Sequence, residues 1–239
     1  MSALGFLIPD TSADSVLARS PMERRARAAG AHFERRDGWN VASEFGGGPE
    51  AERRLIEQRV GFIDRSSMTK LELQGAPDAL AAVVASASGG VALTLGVAKQ
   101  VNGTWWCPVT PSRVLALGEL GGAEALRASL QEAGGDHQLT VVDLTCGLAA
   151  LSLVGRGCRE LLARFCAIDV RPAVTPAGGF RPGSIARTPG YLLCEEQERL
   201  LIMVGWALGE YLWDVVADAA EHLGGGPVGA GAVAELQRA

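Results

Sequence analysis

The chain has 239 residues, 48% of them hydrophobic and 21% charged, with a formal net charge of −5. This excludes a disordered chain and fits one large globular domain or two small ones, burying roughly 70% of the unfolded surface. No apolar run nears the ~20 residues of a bilayer span, and Met1–Asp10 lacks a basic stretch before Leu4–Ile8, so no membrane partner is expected and the expectation is a soluble, cytoplasmic protein.

Residues 1–19 read as a loosely attached arm, with a turn at Pro9-Asp10-Thr11-Ser12. Ser20-Pro21-x-Glu23 is a helix start, with Ser at the N-cap, Pro at N1 and Glu at N3, and Gly30 stops the helix. Ala31–Arg36 reads as a strand closed by a turn at Asp37-Gly38, and Trp39 opens an irregular stretch ending in Gly46-Gly47-Gly48-Pro49. A helix rich in Glu and Arg follows, to about Arg59. Ten Arg between Arg19 and Arg65 are interleaved with eight acids, which describes solvated helix faces with i,i+4 pairs. Without a basic surplus, no nucleic-acid partner is expected.

From there the chain repeats itself. Asp64-Arg65-Ser66 leads into Leu71-x-Leu73-x-Gly75 and an apolar helical pattern at Leu80, Val83 and Val84. About eighty residues later, Asp143-Leu144-Thr145 leads into Leu151-x-Leu153-x-Gly155 and a second such pattern at Leu161, Leu162 and Phe165. Between them lie paired strands at Trp105–Pro108 and Arg113–Leu117 and a helix at Ala123–Glu132. Beyond lie strands at Ser184–Arg187, Gly190–Cys194 and Arg199–Val204, then an amphipathic helix over Leu208–Leu223. Gly224–Gly231 reads as a linker that caps this helix. The fold class is α+β, with ferredoxin-like repeats of mixed or antiparallel sheets and helices. The expected organisation is the arm, a domain over residues 20–229 with internal units near 60–135 and 140–225, and a tail at 230–239.

Familiar chemistry is scarce. No phosphate-cradling glycine motif opens a helix after a strand, and no G-x-S-x-G elbow occurs. Five Cys without a C-x-x-C pair and three scattered His give no metal site and no disulfide framework, so buried reduced thiols are expected. Trp105 and Trp106, adjacent on one strand, must face opposite sides of their sheet. The adjacent Glu195 and Glu196 read as a solvated hairpin tip, with cation or amine binding as the alternative.

Several segments taken in order carry more. Ser20-Pro21-Met22, Gly30-Ala31-His32-Phe33, Gly38-Trp39, Glu52 and the run from Arg59 through Asp64, Met68, Lys70 and Leu73 to Gly75 resemble the opening of the glycine cleavage T-protein (aminomethyltransferase) family. The same opening occurs in the folate-binding half of sarcosine oxidase alpha chains and in dimethylglycine dehydrogenases. Val142-Asp143-Leu144-Thr145, Ile168-Asp169-Val170, Ile185-Ala186-Arg187-Thr188 and Tyr211-Leu212-Trp213 resemble the gamma subunit of heterotetrameric sarcosine oxidase. These families form one superfamily, and the resemblance covers roughly residues 19–229.

The resemblance implies ferredoxin-like pieces around a central hole that takes up the pterin of tetrahydrofolate, without the C-terminal barrel domain of full-length T-proteins. It implies a protein that handles a one-carbon unit from a small N- or O-methyl donor, as an aminomethyltransferase-like transferase. The alternative is a non-catalytic, gamma-like subunit of a heteromeric flavin-dependent sarcosine or amine oxidase, with flavoprotein chains as partners. A further alternative is the same fold binding another small ligand. Met68, Trp105, Arg187, Tyr191 and Glu195 are the implied cofactor contacts. In the stretch Gly103-Thr104-Trp105-Trp106-Cys107 the family's catalytic Asp is missing, and Cys107 stands in its place as the candidate catalytic residue. A thiolate there needs a neighbouring cation, and Arg113 and Arg187 are the candidates.

Overall fold

A computed structural model of the chain describes residues 17–232. The expected tail beyond residue 232 and most of the expected arm lie outside the described residues. The last residues of that arm are not loose: Ala18–Arg19 form β1, which runs parallel to β3 (Trp39–Glu44). After helix α1 (Glu23–Ala28), β2 (His32–Arg36) turns back into β3 through Asp37 and Gly38, with φ of 45° and 76°. Two successive left-handed residues make the hairpin turn whose twist matches its strands. The stretch from Trp39 is therefore a strand rather than irregular chain, because the turn hands it directly to β2 as a partner. Helix α2 (Gly48–Gln58) closes this N-terminal lobe.

The two repeated patterns become the first strands of two larger sheets. In the first, β5 (Thr69–Gly75), α3 (Pro77–Ser88), β7 (Thr104–Thr110), β8 (Arg113–Gly118), α4 (Ala123–Gly134) and β9 (Leu139–Asp143) follow one another, with short β6 (Lys99–Val101) before β7. The sheet order is β6-β7-β8-β5-β9, the strand arrangement of a ferredoxin-like unit. In the second, β10 (Leu148–Val154), α5 (Cys158–Ala163), the hairpin β11 (Phe180–Ile185) and β12 (Thr188–Glu196), then β13 (Arg199–Gly205), lead to a 3₁₀ turn and α6 (Gly209–Glu221). Its order is β11-β12-β13-β10-β4-β14, where β4 (Gly61–Asp64) comes from the segment preceding the first unit. The fold is α+β with mixed and antiparallel sheets.

The two unit openings are equivalent in register. Asp64 of β4 lies opposite Leu151 of β10, and Asp143 of β9 lies opposite Leu71 of β5. In each, the aspartate accepts a hydrogen bond from the amide two residues on, at Ser66 and Thr145. Each first strand thus receives the strand that leads into the other.

Strand alternation assigns the faces. Leu71 and Leu73 of β5, with Val114 and Ala116 of β8, face α3 and α4. Leu192, Leu200, Ile202 and Val204 face α5 and α6. The opposite faces of the two sheets meet each other across Cys107, Leu115, Leu117, Leu193, Leu201 and Met203. The architecture is therefore four layers, helix–sheet–sheet–helix. Trp106 is buried on the helix side and Trp105 half-buried on the inter-sheet side, as the alternation requires. The glycine-rich end is not a linker: β14 (Gly226–Pro227) pairs with β4, and Gly229 donates its N–H to Glu52 Oε2 at 2.8 Å. Backbone crowding explains the glycines, since a Cβ on Gly229 would stand 2.1 Å from the Ser43 carbonyl oxygen.

Among the described residues no helix is long and apolar enough to cross a membrane. On α6, Trp213 is 5% exposed and meets the Phe62 ring edge-on at 5.0 Å, whereas Tyr211 is 44% exposed. Trp213→Ala is expected to lower unfolding free energy by ~3–5 kcal/mol in denaturant titration, and Tyr211→Ala by far less. Equal effects would displace Trp213 from the core.

Candidate functional site

Tyr191, Leu193 and Glu195 alternate on β12 and point into the layer between the sheets, while Leu192 and Cys194 point to the helices. From the opposite sheet Trp105 and Cys107 enter the same layer, and Met68 enters from the turn before β5. Five of the six residues expected at the site thus share one layer. Arg187 does not. It is exposed at the tip of the β11–β12 hairpin, with φ of 62°, between the paired Ile185 and Thr188. At ~3.3 Å per strand residue it lies roughly 26 Å along β12 from Glu195. Strand geometry removes it from the pocket and from any role beside Cys107.

Glu195 is not a solvated tip residue. A bulge after Cys194 lets the chain turn so that Glu196 takes the solvent and Glu195 is buried. Arg65 Nη1 donates to Glu195 Oε1 at 3.0 Å, and Arg199 Nε stands 3.3 Å from Oε2. A buried carboxylate without such partners would be too costly to keep ionised. Farther along the layer, Glu72 of β5 accepts from Arg113 Nη2 at 2.5 Å and Tyr191 stacks on Phe180 at 5.8 Å.

Cys107 lies between these two polar ends, wholly buried. Burial pushes its thiol well above the usual range, and the negative charge of Glu195 pushes it further. The guanidinium of Arg113 is engaged by Glu72 rather than free for a thiolate. Burial and the charge of Glu195 both disfavour the thiolate that nucleophilic chemistry at Cys107 would need.

Beyond Glu195 the layer opens into a cavity of about 240 Å³. Arg36, Asp64, Arg65, Glu119, Ser152 and Arg199 supply its polar wall, and Val41, Ile63, Met68, Leu120 and Val154 its apolar one. Of the residues singled out from the sequence, Met68 lines it and Glu195 stands behind its two arginines. Sequence reasoning missed Arg199, Ser152 and Lys70. Lys70 carried a signal: it is one of two lysines in the chain, set in an alternating apolar strand. It is completely buried, and its Nζ donates to the carbonyl oxygens of Ser66 (2.7 Å) and Met68 (2.9 Å), shaping the turn at the cavity. Desolvation lowers its pKa to about 7, against the favourable charge of Asp64. Asp64 is itself raised by burial, opposed by hydrogen bonds from Ser20 and Ser66.

Residues 73–222, well over half of the chain, match the model of the sarcosine oxidase, gamma subunit family. The chain belongs to that family. Among solved structures, it is similar to heterotetrameric sarcosine oxidase from Corynebacterium sp. U-96 in complex with pyrrole 2-carboxylate, with a TM-score of 0.64 and 24% identity over 73% of this chain and 92% of that one. It is also similar to the glycine cleavage system aminomethyltransferase T from Bartonella henselae, with a TM-score of 0.76 and 16% identity. That match covers 90% of this chain and 60% of the aminomethyltransferase. At these identities the structural likenesses establish the fold alone. A search of curated proteins finds no match. The gamma-subunit family and the T-protein share the four-layer scaffold, and the family match spans the residues that form most of its inter-sheet layer.

The buried groups of this gamma-family chain lend themselves to two measurements. Because Lys70 binds its proton more weakly when folded, stability rises with pH from about 7, and the wild type is expected to gain ~2–3 kcal/mol by pH 9 relative to Lys70→Met. Parallel curves for the two proteins would remove the desolvated amine. In thiol labelling of the native protein, exposed Cys146 is expected to react first and Cys107 only on unfolding. Rapid native labelling of Cys107 would overturn its assignment as an inert core thiol.

Proposed function

We propose that the chain serves as the non-catalytic, gamma-type subunit of a heteromeric flavin-dependent amine oxidase acting on sarcosine or a related amine. The observation that carries this reading is the chemistry at position 107. A carboxylate there would hold charge beside a one-carbon unit and relay protons, whereas a buried neutral thiol does neither. Phe180, Leu193, Leu201 and Met203 occupy the layer beside it, and Glu195 is already neutralised by Arg65 and Arg199. The membership of the gamma-subunit family points the same way. An apolar groove at the surface, with Leu95 and Val97 exposed beside Pro108, Val109 and Pro182, offers contact area for a partner subunit.

Tetrahydrofolate-dependent one-carbon transfer from a small N- or O-methyl donor is the competing reading, and one comparison separates the two. Co-expressed with the flavoprotein oxidase chains of its source cell, the protein is expected to co-elute with them in fixed stoichiometry. The chain alone is expected to show no tryptophan quenching and no calorimetric heat with millimolar tetrahydrofolate. Cys107→Ser is expected to leave amine oxidation by the assembly within about twofold of wild type. A free chain that ignores the flavoproteins and turns over a methyl donor with tetrahydrofolate would overturn the subunit reading.

A further inference from the structure

The cavity beside Met68 holds a charge imbalance and two unanswered hydrogen-bond groups. Arg65 and Arg199 both lean on Glu195, one carboxylate for two guanidiniums. The rest of their compensation comes from Glu119 and Glu196, whose side chains are 78% and 65% exposed and thus screened by water. Arg36 adds a third guanidinium at the wall, paired among the described residues with the exposed Glu34. The remaining acid of the wall, Asp64, is occupied: its Oδ1 accepts the Ser66 N–H, and the Lys70 charge lies near it. The lining side chains thus bring three guanidiniums against the two carboxylates of Asp64 and Glu119, with Glu195 behind Arg65 and Arg199.

Ser152 and Arg199 supply the second observation. Ser152 is 1% exposed, sits on β10 opposite Ile63 and Leu201, and its Oγ has no hydrogen-bond partner among the described residues. Arg199 Nε is likewise buried, with an ion-pair contact but no hydrogen bond. Buried polar atoms are ordinarily satisfied, and each one left unpaired costs ~1–3 kcal/mol. Both line the same cavity, and both can donate. Beside them Ile63 and Val154, with Val41 and Met68, offer an apolar surface.

We propose that this cavity is a binding site for a compact organic carboxylate, its charged group meeting Arg199 and Ser152 and its apolar body lying on Ile63, Met68 and Val154. The cavity, of about 240 Å³, suits a small monoanion rather than a large ligand. A planar carboxylate suits the wall because a guanidinium fork and a hydroxyl can share its two oxygens. The site goes beyond the subunit reading and does not depend on it.

Calorimetric titration of the full chain with furan-2-carboxylate tests the assignment, beside its neutral twin furan-2-carboxamide and the cationic furfurylamine. The carboxylate is expected to bind at one site per chain, and the amide and amine at least about tenfold more weakly. Arg36→Gln is expected to weaken the carboxylate about three- to tenfold and to leave the amide unchanged. Ser152→Leu fills the cavity and is expected to abolish binding while circular dichroism stays native. Should that variant fail to fold, Ser152→Ala removes only an unpaired hydroxyl and is expected to fold and to weaken the carboxylate severalfold. No saturable binding at ten-millimolar carboxylate overturns the site. So does equal binding of the three probes, or unchanged affinity in both the Arg36 and Ser152 variants. None of those results touches co-elution with flavoproteins, so the two readings fail separately.

Discussion

The layer that the two large sheets share is the constraint on which the rest of this protein depends. A sheet with helices on one side can leave its other side to water, but here each sheet covers the other through Leu115, Leu117, Leu193, Leu201 and Met203. Burying a side chain of that size is worth ~1.5–3 kcal/mol, so the layer supplies much of what holds the two units together. Its cost is that a charged group reaching into it must find a partner. Glu72 finds Arg113, Glu195 finds Arg65 and Arg199, and Lys70 finds two carbonyl oxygens. Removing a guanidinium would leave the buried carboxylate of Glu72 or Glu195 with its charge less compensated.

That requirement also explains where chemistry can occur. At the middle of the layer the side chains are apolar and closely packed, and Cys107 sits there as a small hydrophobe with its proton held on. At the edge, beside the N-terminal lobe's β2–β3 hairpin, space remains, bounded by Arg36 and Val41 on one side and Arg65, Ser152 and Arg199 on the other.

The reciprocal strand exchange ties these features together. Because β4 lies against β10 and β9 against β5, the turns after Asp64 and Asp143 come to the same relative position in the two sheets. The first turn carries Arg65 and Met68 to the cavity, and the second carries Leu144 to the shared layer.

By itself the sequence determined the local periodicities and their direct consequences: the strands at Leu71–Leu73 and Leu151–Leu153, the helix ending at Gly30, the opposed faces of Trp105 and Trp106, and the repeat. These depend on residues within a few positions of one another, so alternation, spacing and turn residues report them directly. Order and spacing of its motifs also carried the family. Only the tertiary structure decided that Glu195 is buried, that Arg187 is remote, that the glycines after Leu223 form a sheet edge, and that Ser152 and Arg199 share a cavity. Glu195 meets Arg65 across 130 residues of chain, and Gly229 meets Glu52 across 177. No local pattern records such a meeting, because it is the register of β4 against β10 and the bulge in β12 that set which side chains share a layer.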